Sequence, residues 1–380
     1  MLGLRHTAAE PIRSSDIPQT ARDAIRAVEA ELRSVLDEGL RRARDTDPVF
    51  AQDVADRVSA FVLRGGKRLR TAFTWCGWRA AGGVGDVTAV LRTGAAVELV
   101  QACALIHDDV MDGSPLRRGA PAIHVDFARM HEAARLTGPP DAFATSAAVL
   151  AGDLALTWAD DLLTETALGS AHGHRLYQEW RAMRGEMVAG QYRDIRAQAA
   201  GACGVDEAMS IATLKSALYT VERPLALGAS LADASPSTLR ALRLAGRCAG
   251  LAFQLRDDFL GTFGDPALTG KPADDDLRTG KLTYLLAVGL QLAQDSGDLE
   301  SAEALAPGGL VPSADAVEGM RAALERTGAR AVVESKITDL RATSLKHFER
   351  TGAEACVQRE FATLVEQAAG GAPERTGEVA

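Results

Sequence analysis

The sequence predicts an all-α protein, on three observations. Ala and Leu, both strong helix formers, dominate an apolar fraction of 47%. Aromatic residues contribute only 5%. No long run of alternating β-branched residues argues for a sheet.

At 380 residues the chain suits one large helical domain or two ordinary ones. Short punctuation separates the helical stretches: Gly82 to Gly85, Gly138-Pro139-Pro140-Asp141, Gly201 to Gly204, and Ser235-Pro236-Ser237 at a helix start. None is long enough for an interdomain linker. The expected organisation is therefore one antiparallel helical bundle over residues 18–369. Polar tails of disorder-like composition cover 1–17 and 370–380.

Composition excludes several functions. A net charge of −9 provides no bulk basic field, so nucleic acid is not an expected partner. The five cysteines are far apart and form no CxxC pair. That argues against a cysteine zinc site and a disulfide scaffold, and for a reducing cytoplasm. No run reaches the roughly 18 uninterrupted apolar residues of a membrane span, and the first residues lack the apolar core of a signal peptide.

Residues 89–112 and 238–260 both read as helices, unusually apolar for their length, and each ends in a knot of carboxylates. Charges set against a core are costly unless a cation meets them. In the first knot, Asp108-Asp109-Val110-Met111-Asp112, the outer aspartates are four apart and share a helix face. Hard oxygen ligands so placed suit Mg²⁺, which takes one or two carboxylates and completes its shell with water and phosphate. The second knot is Asp257-Asp258-Phe259-Leu260-Gly261. Either knot alone also fits a solvated helix end; two on separate apolar helices support each other.

The basic counterpart is Gly65-Gly66-Lys67-Arg68-Leu69-Arg70. Lys67 and Arg70, three apart, are expected on one face of a helix start, where fork and point charge suit a diphosphate. Arg117-Arg118-Gly119 follows the first knot, its adjacent arginines pointing different ways. Lys271 and Lys281 flank the acidic run Asp274 to Asp276 in a Gly- and Pro-punctuated loop, and Lys215-Ser216 sits on another helix.

GGKRLR, DDVMD, RRG, FQLRDDFLG and GK, in that order over about residues 60–285, resemble the polyprenyl synthetase family. The resemblance implies a large all-α bundle of the isoprenoid synthase type, normally a homodimer, with a deep central cavity. It implies Mg²⁺ as cofactor, two or three ions per site, bound by Asp108 and Asp112 from one side and Asp257 from the other. Asp109 and Asp258 would support them. The metals hold an allylic diphosphate, contacted further by Arg117, Lys215, Gln254 and Lys271; Ser216 and Lys281 would also be substrate-binding. Isopentenyl diphosphate would lie against Lys67, Arg70, Gln101 and Arg118. Gln191 and Asp194 resemble another cavity motif.

The implied activity is prenyl transfer: isopentenyl diphosphate condensed with an allylic diphosphate to an all-trans product. In the family, bulky residues four and five before the first Asp stop the chain early. Here they are Ala104 and Cys103, both small, with the next stop near Leu99 or Val100. That favours the C20 product, geranylgeranyl diphosphate, over farnesyl or longer (C25 and above) diphosphates. One position departs from the pattern: the second motif usually ends in Asp, where this chain has Gly261. A class I terpene cyclase would not need GGKRLR or RRG. A non-catalytic partner subunit should have lost aspartates from the first motif, which is intact.

Overall fold

The computed structural model describes residues 18–264, 275–307 and 313–370. The expected tail 1–17 and all of the expected tail 370–380 except Gly370 lie outside the described residues, as do Lys271 and Asp274. Among the described residues the architecture is helical, apart from one antiparallel hairpin, β1 (Leu116–Arg117) and β2 (Ala120–Pro121).

The first helix, α1 (Ala21–Thr46), starts at a reciprocal cap. The Asp23 N–H donates to the Thr20 hydroxyl at 3.2 Å, and the Thr20 N–H donates to the Asp23 carboxylate at 3.1 Å. Such a cap satisfies two otherwise orphaned donors and contributes about 1 kcal/mol. The helix buries a stripe of Val28, Leu32, Leu36 and Ala43. A short turn (Pro48–Phe50) and a π-helical stretch (Ala51–Ala55) lead into α2 (Asp56–Leu63) and α3 (Leu69–Ala80).

After the Gly82–Gly85 break comes α4 (Thr88–Met111), the centre of the molecule, packed on α1, α3 and α6 (Pro140–Leu168). Leu99 and Val100 are fully buried, and a helix enclosed on most sides needs no polar stripe. This explains the composition that the sequence reading found unusual. By length and mean hydropathy, α4 and α6 would each be apolar enough to cross a membrane, although neither is an uninterrupted apolar run. In α4, 72% of the apolar window is inside the protein, against 44% in α6. The apolarity of α4 thus reflects its place in the core.

Helix α5 (Ile123–Ala133) joins the hairpin to α6, which begins with Pro140 in its first turn. Next come α7 (Gly173–Ala200), closed by Gly201 at φ 59°, and α8 (Val205–Ile211). A π-helical segment, Ala212–Glu222, then runs into α9 (Arg223–Leu231). The Ser235 hydroxyl accepts the Thr238 N–H at 3.1 Å and starts α10 (Pro236–Phe263). The helical turn Asp275–Arg278 precedes α11 (Tyr284–Ser296), α12 (Leu299–Leu305), α13 (Ala314–Arg326), α14 (Ala329–Glu349) and α15 (Ala355–Ala369). One hydrophobic cluster surrounds α4. A second, including Leu255, Phe259, Leu277, Leu324 and Ile337, sits between α10 and the helices that follow it.

Candidate active site

Helix α4 delivers the first acidic knot at its C-terminus, where the helix dipole is already negative. Carboxylates there need cations, and three reach them. Lys215, on the π-helical segment, places Nζ 3.0 Å from Asp108 Oδ1 and 2.6 Å from Asp194 Oδ2. Gln191 Nε2 donates to the same Asp108 oxygen at 3.3 Å. Arg117, on β1, donates from Nε to Asp109 Oδ1 at 2.8 Å, and its Nη2 reaches Asp109 and Asp108. Lys281 Nζ lies 3.4 Å from Asp112 and 3.9 Å from Asp194.

Burial alone would raise the Asp108 carboxyl, but Lys215, Lys281 and Arg117 hold it below its ordinary range. For Asp109 and Asp112 burial prevails, and both carboxyls lie above theirs. Asp109 Oδ2 and Asp194 Oδ1 are buried without a hydrogen-bond partner among the described residues.

The arrangement depends on a close approach of two backbones. A Cβ at Gly190 would stand 2.3 Å from the Lys215 backbone nitrogen. Only glycine lets α7 press against the π-helical segment, and that contact brings Lys215 to Asp194 one turn on. π-Helical turns recur at functional sites.

The second knot lies on α10. Asp258 is buried, accepts from Gln254 Nε2 at 2.7 Å, and is pushed up to about 8 by burial and by the charges of Asp276 and Asp257. Asp257 is half-buried beside it. Lys281 joins the two knots electrically. Burial opposes its charge, but Asp276, Asp112, Asp194 and Asp108 together hold its pKa well above the usual lysine range. It also lowers the pKa of Asp258.

The basic cluster sits farther back along α4, near Glu98 and Gln101, and here one expectation is corrected. Lys67 and Arg70 do not share a helix face: α3 begins only at Leu69, after Arg68 at φ 49°. Gly65 and Gly66, at φ 77° and 156°, turn the chain so that Lys67 projects into solvent and Arg68 turns inward. Arg68 Nη1 pairs with buried Glu98 at 3.0 Å, and its Nη2 donates to the Val62 carbonyl at 3.0 Å. Arg68 is thereby structural.

Arg70 lies in the first turn of α3. Its guanidinium carbon is 4.2 Å from the Tyr219 ring centroid, and its Nη2 donates to the Thr220 hydroxyl at 2.8 Å. Tyr219 in turn donates to Gln101 Oε1 at 2.7 Å. Arg118, at φ 54°, packs over Gly66, where a Cβ would meet its Nη2 at 2.9 Å. Burial and the charges of Arg68, Arg117 and Arg70 lower the Arg118 pKa despite Glu98. Of these four guanidiniums Arg68 is paired with Glu98 and Arg117 with Asp109, which leaves Arg70 and Arg118 to favour an anion.

The structure therefore gathers Asp108, Asp109, Asp112, Gln191, Lys215 and Lys281 together, and the charge of Lys281 reaches Asp258, which Gln254 and Asp257 adjoin. It also gathers Arg70, Gln101 and Arg118. Arg117 and Arg118 do part, toward Asp109 and toward Gly66. Ser216 sits half-buried beside Lys215, while Lys271 lies outside the described residues. Cys103 is 2% exposed, with Sγ 3.7 Å from His107 Nδ1, and Ala104 is half-buried. Sequence reasoning missed Glu98, Tyr219 and Thr220. Tyr219 follows Lys215 by four residues, a spacing that offered a signal.

Divalent-metal chemistry fits these residues. Among those described, no group of three acidic or imidazole side chains forms a ready-made cage. The orphaned oxygens of Asp109 and Asp194 leave acceptor capacity beside Asp108 and Asp112, and Mg²⁺ takes one or two carboxylates with water and phosphate completing its shell.

Fold and site together define an all-helical class in which a carboxylate knot interleaved with lysines and an arginine-rich cluster lie along one central helix. The model of the polyprenyl synthetase family matches residues 52–306, and the chain belongs to that family. It is 33% identical over 260 residues to geranylgeranyl diphosphate synthase of Mycobacterium tuberculosis, covering 68% of each chain. It is 30% identical over 251 residues to geranylfarnesyl diphosphate synthase of Aeropyrum pernix, covering 64% of this chain and 74% of that one. Among solved structures, it resembles a geranylgeranyl pyrophosphate synthase from Corynebacterium glutamicum complexed with isoprenyl diphosphate and magnesium. The TM-score is 0.84 at 39% identity, covering 90% of this chain and 98% of that one.

Proposed function

We propose that this chain condenses isopentenyl diphosphate with an allylic diphosphate, using Mg²⁺, to geranylgeranyl diphosphate as the main product. The observation that carries this reading is the division of charge along α4. Carboxylates interleaved with Lys215, Lys281 and Arg117 lie at its C-terminal end, and Arg70 and Arg118 gather near Gln101, two turns earlier on the same helix.

Asp108, Asp112 and Asp257 would hold the metal ions, with Asp109 and Asp258 behind them. Bound there, Mg²⁺ supplies Lewis acidity toward the diphosphate leaving group. Lys215 and Lys281 have the position and charge to neutralise that group as the allylic C–O bond breaks. Arg70 and Arg118 orient isopentenyl diphosphate, whose double bond attacks the allylic carbon; the proton then lost passes to the departing diphosphate. The buried Leu99, Val100 and Ile106 offer an inert wall that keeps water from the cation.

Small Cys103 and Ala104 support the C20 assignment. A homodimer suits the exposed Phe143 and Leu150, two turns apart on α6. The five free cysteines suit a reducing compartment.

Purified protein with labelled isopentenyl diphosphate and allylic primers of increasing length tests the reading, with and without EDTA. Metal-dependent incorporation giving mainly C20 is expected. No incorporation would refute the activity, and C15 or C25 products would refute the length assignment. Light scattering of the same preparation reports the oligomeric state.

A further inference from the structure

The segment that carries Lys215 and Tyr219 is π-helical over 11 residues, Ala212–Glu222, far longer than the single turn in which such geometry usually occurs. It serves both clusters along α4. Lys215 reaches Asp108 at the end of that helix, while Tyr219 donates to Gln101 and Thr220 accepts from Arg70. Local sequence and packing explain the register. The Arg223 N–H donates to the Leu218 carbonyl, five residues back, and closes the stretch. Pro224 offers no N–H, and in an α-helical continuation its ring would crowd the Thr220 carbonyl. Glycines on α10 admit the backbone: a Cβ at Gly246 would stand 2.6 Å from Glu222 Cα, and one at Gly250 2.3 Å from the Ala217 carbonyl oxygen.

Charge pins the end of the segment. Arg223 is largely buried and bridges two carboxylates of α7, donating from Nη1 to Glu179 Oε2 at 2.5 Å and from Nε to Glu186 Oε2 at 2.8 Å. Burial opposes its charge, but Glu186 and Glu179 hold its pKa well above the usual arginine range. Beside it, Glu222 is 1% exposed and accepts from Nε and Nη2 of Arg247, on α10, at 2.8 and 3.3 Å. Glu186 lies one turn before Gly190, the glycine pressed against Lys215, so α7 holds both the middle and the end of the π-helical segment.

We propose that Arg223 is a positioning residue for prenyl transfer: by tying the end of the segment to α7, it sets the register at which Lys215 faces one diphosphate and Tyr219 with Thr220 holds Arg70 toward the other. The inference rests on the prenyl-transfer reading above. Because one segment serves both clusters, losing the tie should impair both substrates together, unlike a change at Arg70 itself.

Michaelis constants for both substrates and kcat are measured in wild type, Arg223→Met, Arg223→Lys and Glu186→Gln, with circular dichroism melts to establish that each variant is folded. Arg223→Met should raise both constants by about tenfold or more. Arg223→Lys, which keeps the charge without the fork, should fall between it and wild type. A merely structural Arg223 would lower the melting temperature and the active fraction and leave both constants at wild-type values; that outcome overturns the inference, as does a rise confined to one substrate. Should Arg223→Met fail to fold, Glu186→Gln decides: raised constants for both substrates support the inference, and wild-type constants overturn it. A wild type without prenyl transfer removes the reading and the inference together, whereas an active wild type with unchanged variants overturns the inference alone.

Discussion

The Lys215 ammonium lies 2.6 Å from the Asp194 carboxylate while also reaching Asp108 at 3.0 Å, so a single cation links α7 to the end of α4. Asp194 is 1% exposed. Replacing it with Ala leaves Lys215 without its shortest partner and should cost about 3 kcal/mol in urea unfolding. Asp108→Ala should act on chemistry instead: turnover falls by about a thousandfold, or about 4 kcal/mol of barrier. Near-normal turnover in Asp108→Ala would refute its place in the metal site, and wild-type stability in Asp194→Ala would refute the anchoring role.

The GGKRLR cations should separate into three behaviours. Arg70→Ala should raise KM for isopentenyl diphosphate by about tenfold, more than KM for the allylic primer. Lys67→Ala, at an exposed position before the helix, should shift the same constant with little effect on stability. Arg68→Ala leaves Glu98 buried and unpaired, and should cost about 3–5 kcal/mol of stability. Equal rises in both Michaelis constants for Arg70→Ala would assign the cluster to the wrong diphosphate.

Chain length should respond to Ala104 more cleanly than to Cys103. Cys103 is packed tightly, and Cys103→Phe adds an overpacking cost of about 1–3 kcal/mol. Ala104→Phe is expected to shift product toward C15 with catalysis intact, and the double variant to complete the shift in a less stable protein. Chromatography of the extracted products measures this. An unchanged distribution in an active double variant would show that another helix sets the length.

Metal-free stability should depend on pH through Asp258. Its folded pKa, near 8, lies above the ordinary carboxylate value of about 4, so the folded state holds the proton more tightly. The contribution is complete below about pH 4 and is lost as pH rises through about 8. Melting curves in EDTA should show wild type losing stability over that window and Asp258→Asn losing less. Mg²⁺ with diphosphate, which favours the ionised carboxylate, should flatten the wild-type slope. Identical slopes in the two proteins would sink the assignment.

By itself, the sequence determined the helical class, the breaks and the chemical inventory. These follow from local rules: apolar content and helix propensity set 88–111 and 236–263, and Ser235-Pro236 signals a helix start. The carboxylate knots were legible because an apolar helix ending in paired aspartates is costly without a cation. Tertiary structure decided how that inventory pairs, because Coulomb and packing terms act across distances that sequence spacing does not encode. Lys67 and Arg70 look like one face in the sequence, but the left-handed Arg68 turns that residue into the core against Glu98, thirty residues away. Lys215 finds Asp194 because Gly190 admits a backbone contact, and Arg70 rests on Tyr219 because a π-helical segment places it there. Gly261 reads as a lost carboxylate along the chain; in space a Cβ there would stand 3.2 Å from Asp276 Oδ2, a proximity that fifteen residues of separation do not encode.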